Sequence, residues 1–185
     1  MKLKLIFTFF ILISQISFAQ SDISVRSKEF AKIFVAADGN YNQFYLSTKF
    51  RGTDKVLTLI ENKGKYTVAL KEKGKYPNQT WYIHPGGDDP SPKLVNMETD
   101  MEIYGSGKNV KVKKRSRSRD KAMVRIRKWN FNYYQFVFYI DTDSTTNREE
   151  DDGERALDIY NSKRNAAFMA KPGRYTGQMW FLEKK

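Results

Sequence analysis

Gly74-Lys75-Tyr76-Pro77-Asn78-Gln79-Thr80-Trp81 returns near the C-terminus as Gly173-Arg174-Tyr175-Thr176-Gly177-Gln178-Met179-Trp180, in a chain with only three tryptophans. Both copies read Gly-basic-Tyr-x-x-Gln-x-Trp. Such an internal repeat constrains the architecture more than any single motif, because one structural unit is being used again. The match extends backward: Gly52-Thr53-Asp54-Lys55-Val56-Leu57-Thr58-Leu59 parallels Gly153-Glu154-Arg155-Ala156-Leu157-Asp158-Ile159, and the Leu-to-Gln distance is 22 residues in one copy and 21 in the other. A third, diverged copy is read between them. Its Tyr134-Gln135-Phe136-Val137-Phe138-Tyr139 aligns with Gln79-Thr80-Trp81-Tyr82-Ile83, with valine in the tryptophan place and an insertion around residues 114–121. Three copies of roughly 45–55 residues would then fill the chain from residue 41 onward.

The residues between the repeated phrases alternate in period two, as in Leu46-Ser47-Thr48-Lys49-Phe50, Tyr66-Thr67-Val68-Ala69-Leu70 and Val110-Lys111-Val112-Lys113. That period predicts short half-buried strands, and the Gly and Pro clusters between them mark turns. No long apolar stripe of helical period interrupts the pattern. In a strand reading Gln-x-Trp-x-Ile/Leu, the tryptophan and the aliphatic residue two places on share one face. A unit of four short strands cannot hide that face alone, whereas three such units around a common axis can.

At these residues the chain resembles the ricin B-type β-trefoil lectins, whose repeats end in Gln-x-Trp. The resemblance covers residues 41–185 and implies an all-β fold: a β-trefoil of three pseudo-repeats, with a six-stranded barrel closed by a hairpin cap. It also implies shallow carbohydrate sites, up to one per repeat. In these an Asp after the conserved Leu accepts hydrogen bonds from sugar hydroxyls, an aromatic side chain stacks on the sugar, and an amide near Gln-x-Trp adds further bonds.

Carried over residue by residue, the resemblance makes Asp158, Asn161 and Asn78 candidate carbohydrate-binding residues, and Trp129, outside the repeated phrase, joins them from its own surroundings. The last repeat keeps the acid as Asp158, but has Phe168 and Ala170 where polar and stacking residues would fall and Gly177 in place of the amide beside Gln178. The first repeat has Thr58 in the Asp position and keeps Asn78 beside Gln79. No repeat keeps the complete site. Asp158 can equally be an exposed strand acid paired with Lys or Arg, and Pro77-Asn78 can equally be a turn. Gln79, Gln135 and Gln178 read as structural amides, Trp81 and Trp180 as core. Trp129 lies among amides and aromatics, where it could stack on a sugar or pack in a hairpin.

Residues 108–128 hold eleven Lys or Arg and one acid, Asp120. Val110, Val112, Val124 and Ile126 alternate with Lys111, Lys113, Arg125 and Arg127, and Arg115, Arg117 and Arg119 stand between. The pattern predicts a cationic hairpin with one face in the core. Together these seven cations form the candidate anion-binding set, suited to an anionic polysaccharide or lipopolysaccharide in a salt-dependent manner. Residues 141–154 hold seven acids and one arginine. This acidic loop could fold back on the hairpin. Its echo of a calcium loop lacks the turn glycine, so no metal is assigned.

The chain carries a net charge of +12, has no cysteine and is 15% aromatic, so it favours anionic partners and takes its stability from packing without disulfides. Lys2 and Lys4, the apolar run Leu5–Ile13 and Ser17-Phe18-Ala19 read as a signal peptide over residues 1–19, cleaved to a secreted or periplasmic protein. The run is shorter than the roughly 20 residues a membrane span needs. Residues 20–40 form a polar lead-in of uncertain structure. Export argues against a nucleic-acid partner. With one histidine, His84, and no thiol, no catalytic constellation stands out, so the chain reads as a monomeric binder without a cofactor. The expectation is an exported lectin-like protein. The alternative is a β-trefoil protein-interaction module, an inhibitor or cell-envelope partner, without sugar binding.

Overall fold

The structure, a computed structural model, describes residues 21–24, 26–86, 92–116, 123–130, 132–140, 153–159 and 165–185. Strand β1 (Ser21–Asp22) and helix α1 (Lys28–Phe34) precede three four-strand units. The first comprises β2 (Phe44–Thr48), β3 (Lys55–Asn62), β4 (Lys65–Glu72) and β5 (Trp81–His84). The second comprises β6 (Lys93–Asn96), β7 (Met101–Ser106), β8 (Asn109–Lys114) and β9 (Val124–Asn130). The third comprises β10 (Tyr133–Ile140), β11 (Gly153–Asp158), β12 (Phe168–Ala170) and β13 (Trp180–Lys184). In each unit the second and third strands pair with each other, as β3–β4, β7–β8 and β11–β12.

First and fourth strands form the barrel. β2 pairs with β5, β5 with β6, β9 with β10, and β13 with both β10 and β2. The remaining join, between β6 and β9, is made by the Val124 N–H donating to Pro92 O at 2.8 Å. The hairpins meet as a cap, with Ala69 bridging Ala166 and Phe168 opposite Asn109. This is the β-trefoil expected from the repeated phrase. Closure leaves few free strand edges and buries Trp81, Trp180, Leu46, Leu94, Phe136 and Ile126 inside.

The first and third units superpose in their chemistry. Trp81 Nε1 donates to Leu57 O at 2.8 Å, and Trp180 Nε1 to Leu157 O at 3.0 Å. Each indole thus adds a satisfied hydrogen bond to an apolar burial worth about 2–3 kcal/mol.

The middle unit departs from its expected register. Gln135-Phe136-Val137 lies in β10, the opening strand of the third unit, and the tryptophan place of the middle unit is held by Val124 at the start of β9. Cross-strand pairs fix the equivalence: Trp81 faces Asn96, Trp180 faces Thr48, and Val124 faces Phe138. All six are buried. In the middle unit the bulk has moved to the opposite strand, so the core is filled by Phe138 instead of an indole, a volume-conserving exchange that packing tolerates.

The expected cationic hairpin does not form. β8 pairs with β7 and touches β12, while β9 pairs with β10 and β1. Alternation placed each strand's faces but could not name its partner. Pairing β8 with β9 would take β9 away from β10 and out of the barrel.

The lead-in is part of the core. The Ser27 hydroxyl caps α1 by accepting from Phe30 N at 3.0 Å, and Phe30 and Phe34, four residues apart, point the same way into the barrel. Phe34 packs edge-on to Phe44 and Tyr134, from the first and third units. Asn42 fastens the following turn by donating to Ile33 O at 2.8 Å. Among the described residues no helix is long and apolar enough to cross a membrane.

Candidate functional site

Beside each retained Gln-x-Trp phrase the same network recurs. Gln79 Oε1 accepts from Gly74 N at 2.7 Å, and its Nε2 donates to Glu72 O and Thr58 Oγ1 at 2.9 and 3.1 Å. Gln178 Oε1 accepts from Gly173 N at 3.0 Å, and its Nε2 donates to Lys171 O and Asp158 Oδ2 at 3.0 and 2.9 Å. Gln135 Nε2 joins the second network, donating to Gln178 Oε1 at 2.7 Å and Gly173 O at 3.1 Å. All three glutamines are buried, as structural amides must be. They fix the turn that follows each hairpin.

Against that turn lies an open cleft in each of the two units. The first, about 590 Å³, is lined by Tyr45, Asp54, Lys55, Glu72, Lys73 and Lys75. Its charges are mostly mutually engaged. Lys75 pairs with Glu72 at 2.7 Å and holds that carboxyl below its usual value by hydrogen bonding, while Lys73 pairs with Glu183 and stands 5.0 Å over the Tyr45 ring.

The cleft of the third unit, about 810 Å³, is lined by Lys108, Glu154, Arg155, Phe168, Ala170, Lys171 and Pro172. Its one acid is already occupied, with Glu154 Oε2 2.6 Å from Arg127 and Oε1 against Arg125. Lys108 and Lys171 make no ion pair among the described residues. The backbone of its walls is hydrogen-bonded, with Met169 N donating to Lys108 O at 3.0 Å and Lys171 O accepting from Gln178. The cleft therefore offers one aromatic face, an apolar Pro and Ala, and an excess of cations.

Asp158 ends β11 at 3% exposure with Oδ2 accepting from Gln178, so it is a buried acid and not an exposed strand acid. Asn78 has φ +59°, and its carbonyl accepts from Leu59 N and Asn96 Nδ2, both at 3.0 Å. It is a turn residue in the left-handed region, which asparagine tolerates. Trp129 is half-buried in β9 with the Arg174 guanidinium 5.7 Å from its ring centre. Asn161 lies outside the described residues. Asn78, Trp129 and Asp158 fall in three different units.

Of the cations, Lys111 is exposed on β8. Lys113 sits 3.5 Å from the buried Glu102, which Lys93 also approaches at 3.3 Å. Arg115 binds Asp100 at 2.7 Å, and that hydrogen bond raises its pKa. Arg125 and Arg127 each reach both Asp22 and Glu154. Arg117 and Arg119 lie outside the described residues, as do residues 1–19 and 141–152. The expected row of free cations is thus largely paired with acids.

His84 sits with Tyr41 and Tyr82, ring centres 5.5 and 6.4 Å away. Its Nδ1 accepts from Gly86 N at 3.0 Å, and Arg115 Nη1 lies 3.4 Å from Nε2. Burial first, then the Arg115 and Lys93 charges, lower its pKa and keep the ring neutral. Sequence reasoning missed Lys171 and Pro172. The signal was available, since they occupy the places of Glu72 and Lys73 in the repeat.

No family model and no curated protein matches the chain. Among solved structures it is similar to the designed 3-fold symmetric protein ThreeFoil, with TM-score 0.56 and 22% identity over 76% of this chain and 96% of that one. A Polyporus squamosus lectin bound to Neu5Acα2-6Galβ1-4GlcNAc matches with TM-score 0.54 and 16% identity over 77% of this chain. The chain spans about half, 49%, of that lectin. The C-terminal domain of an earthworm lectin, a mutant in complex with 6'-sialyllactose, matches with TM-score 0.51 and 17% identity, covering 78% of this chain and 99% of that one. The class these likenesses define is the β-trefoil fold.

Proposed function

We propose that the protein is an exported, non-enzymatic carbohydrate-binding β-trefoil, and that the cleft of the third unit takes an acidic sugar. The observation that carries this reading is the pair Lys108 and Lys171 in one cleft with the Phe168 ring, where the acid is already held by two arginines. A sugar offers one modest apolar face and many hydroxyls, which matches a shallow cleft with an aromatic floor and polar rim. A carboxylate on that sugar would form charge-assisted hydrogen bonds with the lysines. Two lectins of the same fold have sialylated ligands, which supports the same ligand class here.

A glycan array at low and at moderate salt, followed by calorimetry, tests the reading. Sialylated or other carboxylated glycans should bind, their neutral counterparts should bind less, and salt should weaken the acidic ones. Lys171→Gln and Phe168→Ala should each reduce binding several-fold. Silence across neutral sugars, acidic sugars and lipopolysaccharide alike would overturn it in favour of a protein partner.

A further inference from the structure

The lead-in builds a second concavity, which shares only Glu154 with the cleft of the third unit. Asp22 lies opposite Arg127, and Ile23 N donates to Ile126 O at 2.8 Å, which lays residues 21–23 along β9. Between that segment and β10 lies a cavity of about 510 Å³, within the range of small-molecule sites. Ile23, Val124 and Val137 form its buried floor. Met123 and Tyr139, 37% and 61% exposed, stand at its mouth. Large apolar side chains left in water beside a concavity mark a surface built for contact.

The polar wall is selective. Asp22, Arg125, Glu154 and Arg127 form a closed ring in which each acid touches both arginines. Arg127 Nε is 3.2 Å from Asp22 Oδ1, and Arg125 Nε is 3.3 Å from Asp22 Oδ2. Two positive and two negative groups cancel. What remains is Arg26, exposed, lining the same cavity and making no ion pair among the described residues. A polyhydroxylated ligand would strand its hydroxyls against the aliphatic floor, and a cation would meet Arg26.

We propose that this cavity binds a small amphiphile with an apolar body and a single anionic head group, the body on Ile23 and Val137 beneath Tyr139 and the head at Arg26. The proposal is independent of glycan binding. Calorimetric titration of the full chain with octanoate, 1-octanol and octylamine tests it, with near-ultraviolet circular dichroism reporting that each variant is folded. Octanoate should saturate one site with a dissociation constant of about 0.1–1 mM, as expected for a ligand of that size. Octanol should bind more weakly and octylamine not at all. Arg26→Gln should weaken octanoate about three- to tenfold and leave octanol unchanged, since only a charge-assisted hydrogen bond is lost. Met123→Trp, which narrows the mouth, should weaken both. No saturable octanoate binding, equal affinity for octanoate and octanol, or an octanoate affinity unchanged by either substitution would overturn the proposal.

Discussion

Gln178 donates its side-chain amide to Asp158 Oδ2 at 2.9 Å, with both residues buried. The equivalent pair in the first unit is Gln79 with the Thr58 hydroxyl, at 3.1 Å. Replacing Gln178 by Ala removes the bonds it makes to the Asp158 carboxyl, the Gly173 N–H and the Gln135 amide, whereas Gln79→Ala removes bonds to neutral groups only. Gln178→Ala should therefore cost about 2–4 kcal/mol and Gln79→Ala about 1–3 kcal/mol. Urea denaturation of the two variants checks the order, and a smaller cost at Gln178 would refute it.

Phe34 lies outside the repeats yet has no solvent exposure and touches the rings of Phe30, Phe44 and Tyr134. Phe34→Ala should cost about 3–5 kcal/mol, the value of an aromatic deletion in a packed core. A loss below about 1 kcal/mol in chemical denaturation would show the lead-in to be dispensable.

Glu102 is fully buried between Lys93 and Lys113 at ion-pair distances of 3.3 and 3.5 Å, with neither carboxylate oxygen in hydrogen-bonding geometry. Lys93 is itself only 3% exposed. Removing one partner leaves a buried charge, so Glu102→Ala should cost about 3–5 kcal/mol, and the double change Glu102→Leu with Lys93→Met should cost less than the single one. A double-mutant cycle measures the difference.

His84 titrates below its ordinary value because burial and the nearby Arg115 and Lys93 disfavour its charged form, with only Asp100 opposing. In the unfolded chain it takes a proton as pH falls through about 6.5. The folded ring takes it only at lower pH, so protonation favours unfolding and stability falls as pH drops below 6.5 toward the depressed value. His84→Gln should flatten that part of the profile. Urea midpoints compared from pH 7.5 to 5.5 decide this, and parallel profiles for the two proteins would exclude the effect.

The fold was legible where the repeat kept its bulky residue. Trp81 and Trp180 announced two of the three units. The middle unit was misread because Val124 had exchanged volume with Phe138 across the strand pair, leaving Gln135-Phe136-Val137 as the better match to the phrase. Gln135 carried a true signal of another kind, a buried amide that belongs to the Gln178 network. Alternation in β8 and β9 gave the buried faces correctly, but pairing is a tertiary property that a local period does not encode. Likewise Ser27, Phe30 and Phe34 are a cap and an i,i+4 pair, too short a pattern to stand out beside so many strands. Asp158 was readable as a special acid. Its burial depended on Gln178, twenty residues further on.

Strand β13 is the neighbour of β2, with Trp180 opposite Thr48 and Lys185 N–H bonded to Gln43 O at 2.9 Å. The seam of the barrel thus joins the first strand of the first unit to the last strand of the third. The hairpins can form early from local contacts, but the barrel cannot close before β13 is in place, and such long-range closure is slow. Removal of β13 should therefore undo the whole molecule rather than trim it.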